Sequence, residues 1–404
     1  MFKRIFIIFI VLCTMLLGCS KKQIKTIVEE DKPSPPPIVD PIYEDIKKLT
    51  LDEKIGQLFI VSMDGEEVNE STIRLIKDNK IGGIILFQKN IKDSKQLVTL
   101  VNSLKETNKD NPISLFLSID EEGGRVTRMP KEIKKLPSSK LVGKTGKEEI
   151  GYDLGVALGE ELRDFGINMN FAPVMDINNN PNNKVIGDRA FGDNPQTVGS
   201  LGRSVMKGLQ NADIIPVLKH FPGHGDTAVD SHVDLPLINK TMESLESFEI
   251  IPFKEGIEEG ADMVMMGHIL LPLLDKENPA TLSSIIIKDL LREKLQFNGV
   301  VITDDISMKA ISNKYGVGES GLKALKAGSD IVLSCYSSDK QFELIKYVKD
   351  AVSSGLLSEE EIDKKVYRII KLKKKYNISD EVVKQVNVNV INEKVSSVIE
   401  RIGR

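Results

Sequence analysis

Eight short apolar runs rich in β-branched residues, set apart by longer stretches of helical period, limit what this chain can fold into. The runs are Leu58 to Met63, Gly83 to Phe87, Leu115 to Ile119, Met169 to Pro173, Pro216 to Lys219, Met263 to Met266, Val300 to Thr303 and Ile331 to Ser334. Runs of this length without polar alternation read as strands buried on both faces, the habit of a parallel sheet clothed in helices. Helical stretches such as Ile150 to Phe165, Gln196 to Gln210, Leu245 to Glu259 and Lys340 to Ser354 fall between many of them. Eight βα units in about 330 residues predict an α/β fold, a (β/α)8 barrel, with a doubly wound open sheet as the alternative. After the eighth unit comes a capped helix opening at Ser358 with Glu361. A basic cluster at Lys371 and Lys373 to Lys375 follows, read as a solvated helix end that suits the helix dipole, and then an amphipathic helix near Val390 to Ile402.

Polar residues sit where a barrel would use them. Asp120 follows the third run, Asp176 the fourth, Lys219 and His220 end the fifth, His268 follows the sixth, and Asp304 with Asp305 close the seventh. Strand C-terminal ends converge on one mouth in this fold, so these side chains are expected to share a site.

The N-terminus carries a different signal. Lys3 and Arg4 precede an apolar run from Ile5 to Leu17, too short for a comfortable membrane span and read as a secretory signal over residues 1–18. It ends at Leu16, Leu17, Gly18 and Cys19, which resembles a bacterial lipobox in which Cys19 becomes the lipidated first residue; Leu17 stands where a smaller residue is commoner. An uncleaved anchor is the alternative, and either one leaves the body outside the cytoplasm, lipid-anchored to a bacterial membrane in the preferred reading. Processing would leave Cys335 as the only free thiol, with no internal disulfide. Residues 19–42 are charged and hold Pro33, Pro35, Pro36, Pro37 and Pro41, so they read as a tether. At roughly 3.1 Å per residue it would hold the body several tens of ångströms from a membrane. The globular domain, residues 43–404, is expected to begin near Tyr43, with Thr50 and Glu53 forming a capping box. A formal net charge of −4 and the lack of zinc-finger cysteine spacing argue against nucleic acid as a partner.

Chemistry concentrates between Lys219 and His232, where three of the four histidines lie within fourteen residues. Histidine has its ordinary pKa near neutrality, and an Asp two residues before it can hold one ring nitrogen while the other exchanges a proton. Asp230 and His232 therefore read as a general acid/base dyad, on a loop shaped by Pro222, Gly223 and Gly225.

Four segments together carry a specific resemblance: Ile119 to Val126 (IDEEGGRV), Phe171 to Asp176 (FAPVMD), Lys219 to Asp226 (KHFPGHGD) with Asp230, Ser231 and His232, and Thr303 to Met308 (TDDISM). They resemble glycoside hydrolase family 3, and within it the bacterial β-N-acetylglucosaminidase branch, from about Tyr43 to at least Tyr376. The resemblance implies a barrel and a retaining mechanism through a covalent glycosyl-enzyme. It makes Asp304 the nucleophile and Asp305 its structural neighbour. His232 becomes the proton donor and later the base, oriented by Asp230, and Asp120, Arg128, Arg189, Lys219 and His220 become sugar-binding residues. For Arg128 and Arg189 a surface salt bridge is the plainer alternative. Glu121 stands where the family often has Gln, and the sandwich-like second domain of many members is not expected here.

The substrate implied is a terminal β-linked N-acetylglucosamine, on peptidoglycan fragments by preference, with no metal or organic cofactor and a monomeric chain. Three rivals stand beside it. His220, His224, His232 and Asp226 form a metal site in one, although Pro222 and Gly223 oppose the helix that would align a His-x3-His pair. The second is a carbohydrate-binding lipoprotein with a dead site. In the third, phosphate replaces water as acceptor, because a histidine acid/base lacks the negative charge of a carboxylate.

Overall fold

The computed structural model describes residues 40–227, 231 and 234–403. The apolar N-terminal run, Cys19 and the proline-rich stretch up to Pro37 lie outside the described residues, as do Asp230 and His232. The described body opens at Asp40, whose carboxylate caps the helix Pro41–Lys48 and accepts a hydrogen bond from the Tyr367 hydroxyl at 2.7 Å.

Eight parallel strands form the centre: β1 Phe59–Ser62, β2 Gly83–Leu86, β3 Phe116–Ile119, β4 Met169–Asn170, β5 Ile215–Phe221, β6 Met263–Met266, β7 Val300–Thr303 and β8 Val332–Ser334. Each falls within or across one of the eight apolar runs. Every strand residue is buried, as expected where one face fills a barrel and the other meets helices. Neighbours follow chain order from β7 back to β1, and β1 pairs with both β2 and β8, Ile60 lying opposite Gly83 on one side and Leu333 on the other. A parallel bridge between Ile302 and Ile331, with the Thr303 N–H donating to the Ile331 carbonyl at 3.1 Å, brings β7 to β8. The sheet thus curls into a barrel, and the open-sheet alternative fails.

The capping boxes appear as the sequence predicts, Thr50 with Glu53 and Ser358 with Glu361. The helices Glu148–Asp164, Pro195–Asn211 and Ser338–Ser353 match three predicted stretches to within two residues at each end. The fourth is two helices, Met242–Glu246 and Ile251–Glu258, rather than one. Pro252 has no N–H to give and its ring would strike the preceding turn, so it sits where a helix starts.

The basic cluster also departs from expectation. Lys373 is 5% exposed and points into the N-terminal end of the barrel, while Lys374 pairs with Asp45 and Lys375 with Asp262. The helix Glu359–Lys375 packs its Ile362, Val366, Ile369 and Ile370 face on the barrel, and Lys373 continues that face.

Candidate active site

The strand C-terminal ends surround a cavity of about 540 Å³, lined among others by Asp120, Glu122, Arg128, Arg189, Lys219, His220, His224, Asp304, Asp305 and Cys335. Five sequence-predicted site residues, Asp120, Arg128, Arg189, Lys219 and His220, therefore meet Asp304 at one mouth.

The floor is an ion network built on β5. Register against β6 runs from Leu218 opposite Val264 to Phe221 opposite Met266, so β5 carries an extra residue there. Such a bulge re-aims side chains, and both Lys219 and His220 line the cavity although they are consecutive. The Lys219 ammonium, 1% exposed, lies 2.6 Å from Asp120 Oδ1 and 2.6 Å from Glu122 Oε1. Arg189 closes the network as a fork, its Nε 2.9 Å from Glu122 Oε2 and its Nη2 2.8 Å from Oε1. Only 15% of the Arg189 side chain is exposed, so its ion pair is a buried one rather than a surface bridge. Burial alone would push the Glu122 carboxyl up, but Arg189 and Lys219 hold it well below the usual carboxylate range. Burial likewise works against the charge on Lys219, and Asp120 and Glu122 overcome it, raising its pKa. Glu122, Lys219 and Arg189 are thereby held charged, with half-buried Asp120 at the open side. Glu122 went unassigned in the sequence because its partner Arg189 is 67 residues away; the adjacent acids at 120 to 122 were the available signal.

His220 is held by Asp176, which the sequence places at the same mouth without a role: its Oδ2 lies 2.6 Å from Nδ1, while Oδ1 accepts the His220 N–H at 3.3 Å and the His224 N–H at 2.6 Å. Asp176 is fully buried, and burial alone would raise it, yet His220 and His224 hold it below its ordinary value. The loop beyond is tightly packed. A Cβ on Gly225 would stand 1.6 Å from the Ile177 carbonyl oxygen, so only glycine fits.

Asp304 and Asp305 differ in their surroundings. Asp305 accepts the Ser307 and Cys335 N–H groups on Oδ1, both at 2.9 Å, and the Ser307 hydroxyl on Oδ2, which marks it as a structural group. Asp304 accepts the Asp305 N–H on Oδ1 at 2.8 Å and lines the cavity. Burial pushes the Asp304 carboxyl up, but His268, His220, the Asp305 N–H and Lys219 together hold it below its usual value, so it is ionised and available as a nucleophile. His268, fully buried, supports this loop from β6: its Nε2 lies 2.9 Å from the Asp305 carbonyl and its Nδ1 2.8 Å from Thr281 Oγ1. Cys335 also lines the cavity, where burial and then Asp305 push its thiol well up, so it is a poor nucleophile at neutral pH.

Ser231 lines the same cavity, and its carbonyl accepts the Ala310 N–H at 3.2 Å. Its sequence neighbours Asp230 and His232 lie outside the described residues. Among the described residues no group of three or more His, Cys, Asp or Glu side chains is arranged to hold a metal ion. His220 Nδ1 faces Asp176, His224 Nδ1 lies 3.0 Å from Thr227 Oγ1, and Asp226 pairs with Lys240 at 2.8 Å.

Comparisons with known proteins agree on one family. The profile of the glycosyl hydrolase family 3 N terminal domain matches residues 50–372. Beta-hexosaminidase A of Pseudoalteromonas piscicida is 34% identical over 325 residues, covering 74% of this chain and 54% of that one, so the chain spans about half the length of that relative. The beta-hexosaminidase of Methylobacillus flagellatus is 34% identical over 291 residues, 70% of this chain and 82% of its own. Among solved structures, a glycoside hydrolase family 3 beta-N-acetylglucosaminidase from Paenibacillus sp. str. FPU-7 superposes with a TM-score of 0.84 at 39% identity, over 87% of this chain and 69% of that one.

Proposed function

Because the chain belongs to glycosyl hydrolase family 3, we propose that it is a retaining exo-β-N-acetylglucosaminidase that removes terminal β-linked N-acetylglucosamine, with peptidoglycan fragments as the natural source. The observation that carries the reading is that Asp304 lines one cavity with the Asp120, Glu122, Lys219 and Arg189 network. Asp120 accepts hydrogen bonds from sugar hydroxyls while Lys219 donates them, so a pyranose is gripped by paired donors and acceptors. Asp304 attacks the anomeric carbon as the glycosidic bond breaks, and its charge offsets the positive charge that develops on the ring. His232 gives its proton to the leaving oxygen, then takes one from the water that releases the sugar from Asp304. Asp230 orients the imidazole and stabilises its charged form. Support for this assignment comes from Ser231, which lies between the two in sequence and lines the cavity. Lipidation at Cys19 and the tether to residue 42 would hold the enzyme at an envelope surface where cell-wall fragments arise.

Release of nitrophenol from the β-N-acetylglucosaminide and from the β-glucoside by the full chain, with and without phosphate and a chelator, tests the proposal. Turnover of the N-acetyl sugar alone, indifferent to both additions, is the expected result. A phosphate requirement makes the protein a phosphorylase, chelator sensitivity revives the metal reading, and silence on both sugars overturns catalysis. His232→Ala should slow substrates with poor leaving groups more than activated aryl glycosides, which need less protonation; equal loss on both counts against His232 as the acid.

A further inference from the structure

The rim of the cavity is built differently from its floor. The acids that line it, Asp120, Glu122, Asp304 and Asp305, stand just beyond the ends of β3 and β7, and the buried cations Lys219 and Arg189 are committed to Glu122. On the open side, the loop between β4 and the helix Pro195–Asn211 brings in Lys184, and the loop after β3 brings in Arg125. Lys184 is exposed, yet its backbone is pinned from two sides. Arg125 Nη2 donates to the carbonyls of Lys184, Val185 and Ile186 at 2.9, 2.6 and 3.1 Å, while Arg125 Nε lies 2.6 Å from Asp188 Oδ1. Asn183, 3% exposed, accepts the Val185 and Ile186 N–H groups on Oδ1, both at 3.0 Å, and donates from Nδ2 to the His224 and Gly225 carbonyls at 2.8 and 3.1 Å. The Arg125 charge is thus taken up by Asp188 and the clamp. Lys184 forms no ion pair among the described residues. A lysine fixed by its backbone at a cavity mouth, with no carboxylate of its own chain, leaves its charge to whatever passes the rim.

We propose that Lys184 sets specificity for the leaving portion of the substrate, selecting one that carries a carboxylate over a neutral one of the same shape. The proposal rests on the N-acetylglucosaminidase reading above. The sugar to be cleaved occupies the floor beside Asp120 and Lys219, so the group it is joined to must leave past the rim where Lys184 stands. An acidic peptidoglycan fragment offers a carboxylate there, either on the lactyl ether of its second sugar or on a peptide attached to that ether. A chitooligosaccharide offers none. Because the lysine is exposed, its attraction is that of a solvated ion pair, modest in size and screened by salt. The pinned backbone keeps the ammonium near the path without a large ordering cost.

Kinetics of the full chain on three disaccharides test this. The first is N-acetylglucosamine β-linked to N-acetylmuramic acid, the second is the same compound with its lactyl carboxylate converted to the primary amide, and the third carries alanine joined to that carboxylate. Acid and amide differ in charge and hardly in shape. At low salt the wild-type kcat/KM should be about threefold higher for the acid or the alanyl form than for the amide, and the ratio should fall toward one at about 1 M salt. Which charged form is preferred tells a lactyl carboxylate from a peptide one. Lys184→Met should bring the ratio to about one and Lys184→Glu should push it lower, whereas Lys184→Arg should keep it. Equal wild-type turnover of all three overturns the proposal, as does a preference that Lys184→Met and Lys184→Glu retain or a loss that falls equally on acid and amide. Cleavage of the nitrophenyl N-acetylglucosaminide but of no disaccharide overturns it too, and all these results leave the release of N-acetylglucosamine intact. Failure of the wild type on the disaccharides and the nitrophenyl glycoside alike is instead the failure of the substrate reading, and this proposal falls with it.

Discussion

Two lysines are buried at opposite ends of the same barrel. At the N-terminal end Lys373 donates to Gln57 Oε1, the Gly82 carbonyl and the Ser114 carbonyl at 2.8, 2.9 and 2.7 Å, its ammonium 4.3 Å from the centre of the Phe116 ring. At the C-terminal mouth Lys219 faces the Asp120 and Glu122 carboxylates. Both ammonium groups are hydrogen-bonded, but only Lys219 is in direct ion-pair contact with carboxylates, while Asp380 acts on Lys373 without such a contact. Burial pushes Lys373 down to about 7, whereas the carboxylates raise Lys219 against the same desolvation. Neutral acceptors tie the strand ends and the helix Glu359–Lys375 together. Carboxylates hold a permanent cation beside Asp304, where a polar substrate can use it. Equal burial thus serves architecture at one end and chemistry at the other, and the partners decide which.

The contrast can be broken by substitution. Asp304→Asn should lower kcat by about 10⁴-fold or more while the melting temperature stays close to that of the wild type, because it removes a nucleophile and little packing. Activity and thermal unfolding on one preparation check this; retained turnover would move the nucleophile elsewhere. Lys219→Met strands Asp120 and Glu122 without their cation, so it should cost about 3–5 kcal/mol of stability and raise KM together. Lys373→Met strands neutral oxygens only, and should cost about 1–3 kcal/mol with kcat/KM of the folded protein unchanged. Denaturant unfolding paired with kinetics separates the two; a KM effect from Lys373→Met would erase the distinction between the ends.

A further difference between the two ends concerns pH. The unfolded chain has Lys373 at its ordinary value of 10.5, and the folded chain has it near 7, so between those limits the unfolded state binds the extra proton. Stability contributed through this residue therefore rises with pH across that window, by up to about 1.4 kcal/mol per unit. The difference between wild type and Lys373→Met, measured near neutrality and again about two units higher, should grow in the wild type's favour.

How much of this was legible depended on whether the signal was local. The eight strands were, because buried parallel strands write themselves as uninterrupted apolar runs. The break near Pro252 was legible in principle from the proline alone. Lys373 looked like its neighbours by charge, yet its spacing from Val366, Ile369 and Ile370 sets it on the buried stripe. The site was half visible. Asp120, Lys219, His220 and Asp304 announced themselves at strand ends, and the family resemblance brought in Arg128 and Arg189. Glu122 acquires meaning only through Arg189, which the fold brings near, while Asp176, legible at its strand end, gains its role from His220.

Retention requires that Asp304 form a covalent bond to N-acetylglucosamine. Mass spectrometry of the full chain after reaction with an activated, slowly released 5-fluoro-N-acetylglucosaminide addresses it most directly. One added sugar is expected, localised to the peptide bearing Asp304 and absent from Asp304→Asn. A sugar on any other residue, or steady turnover of ordinary substrate with no trapped adduct, would contradict it.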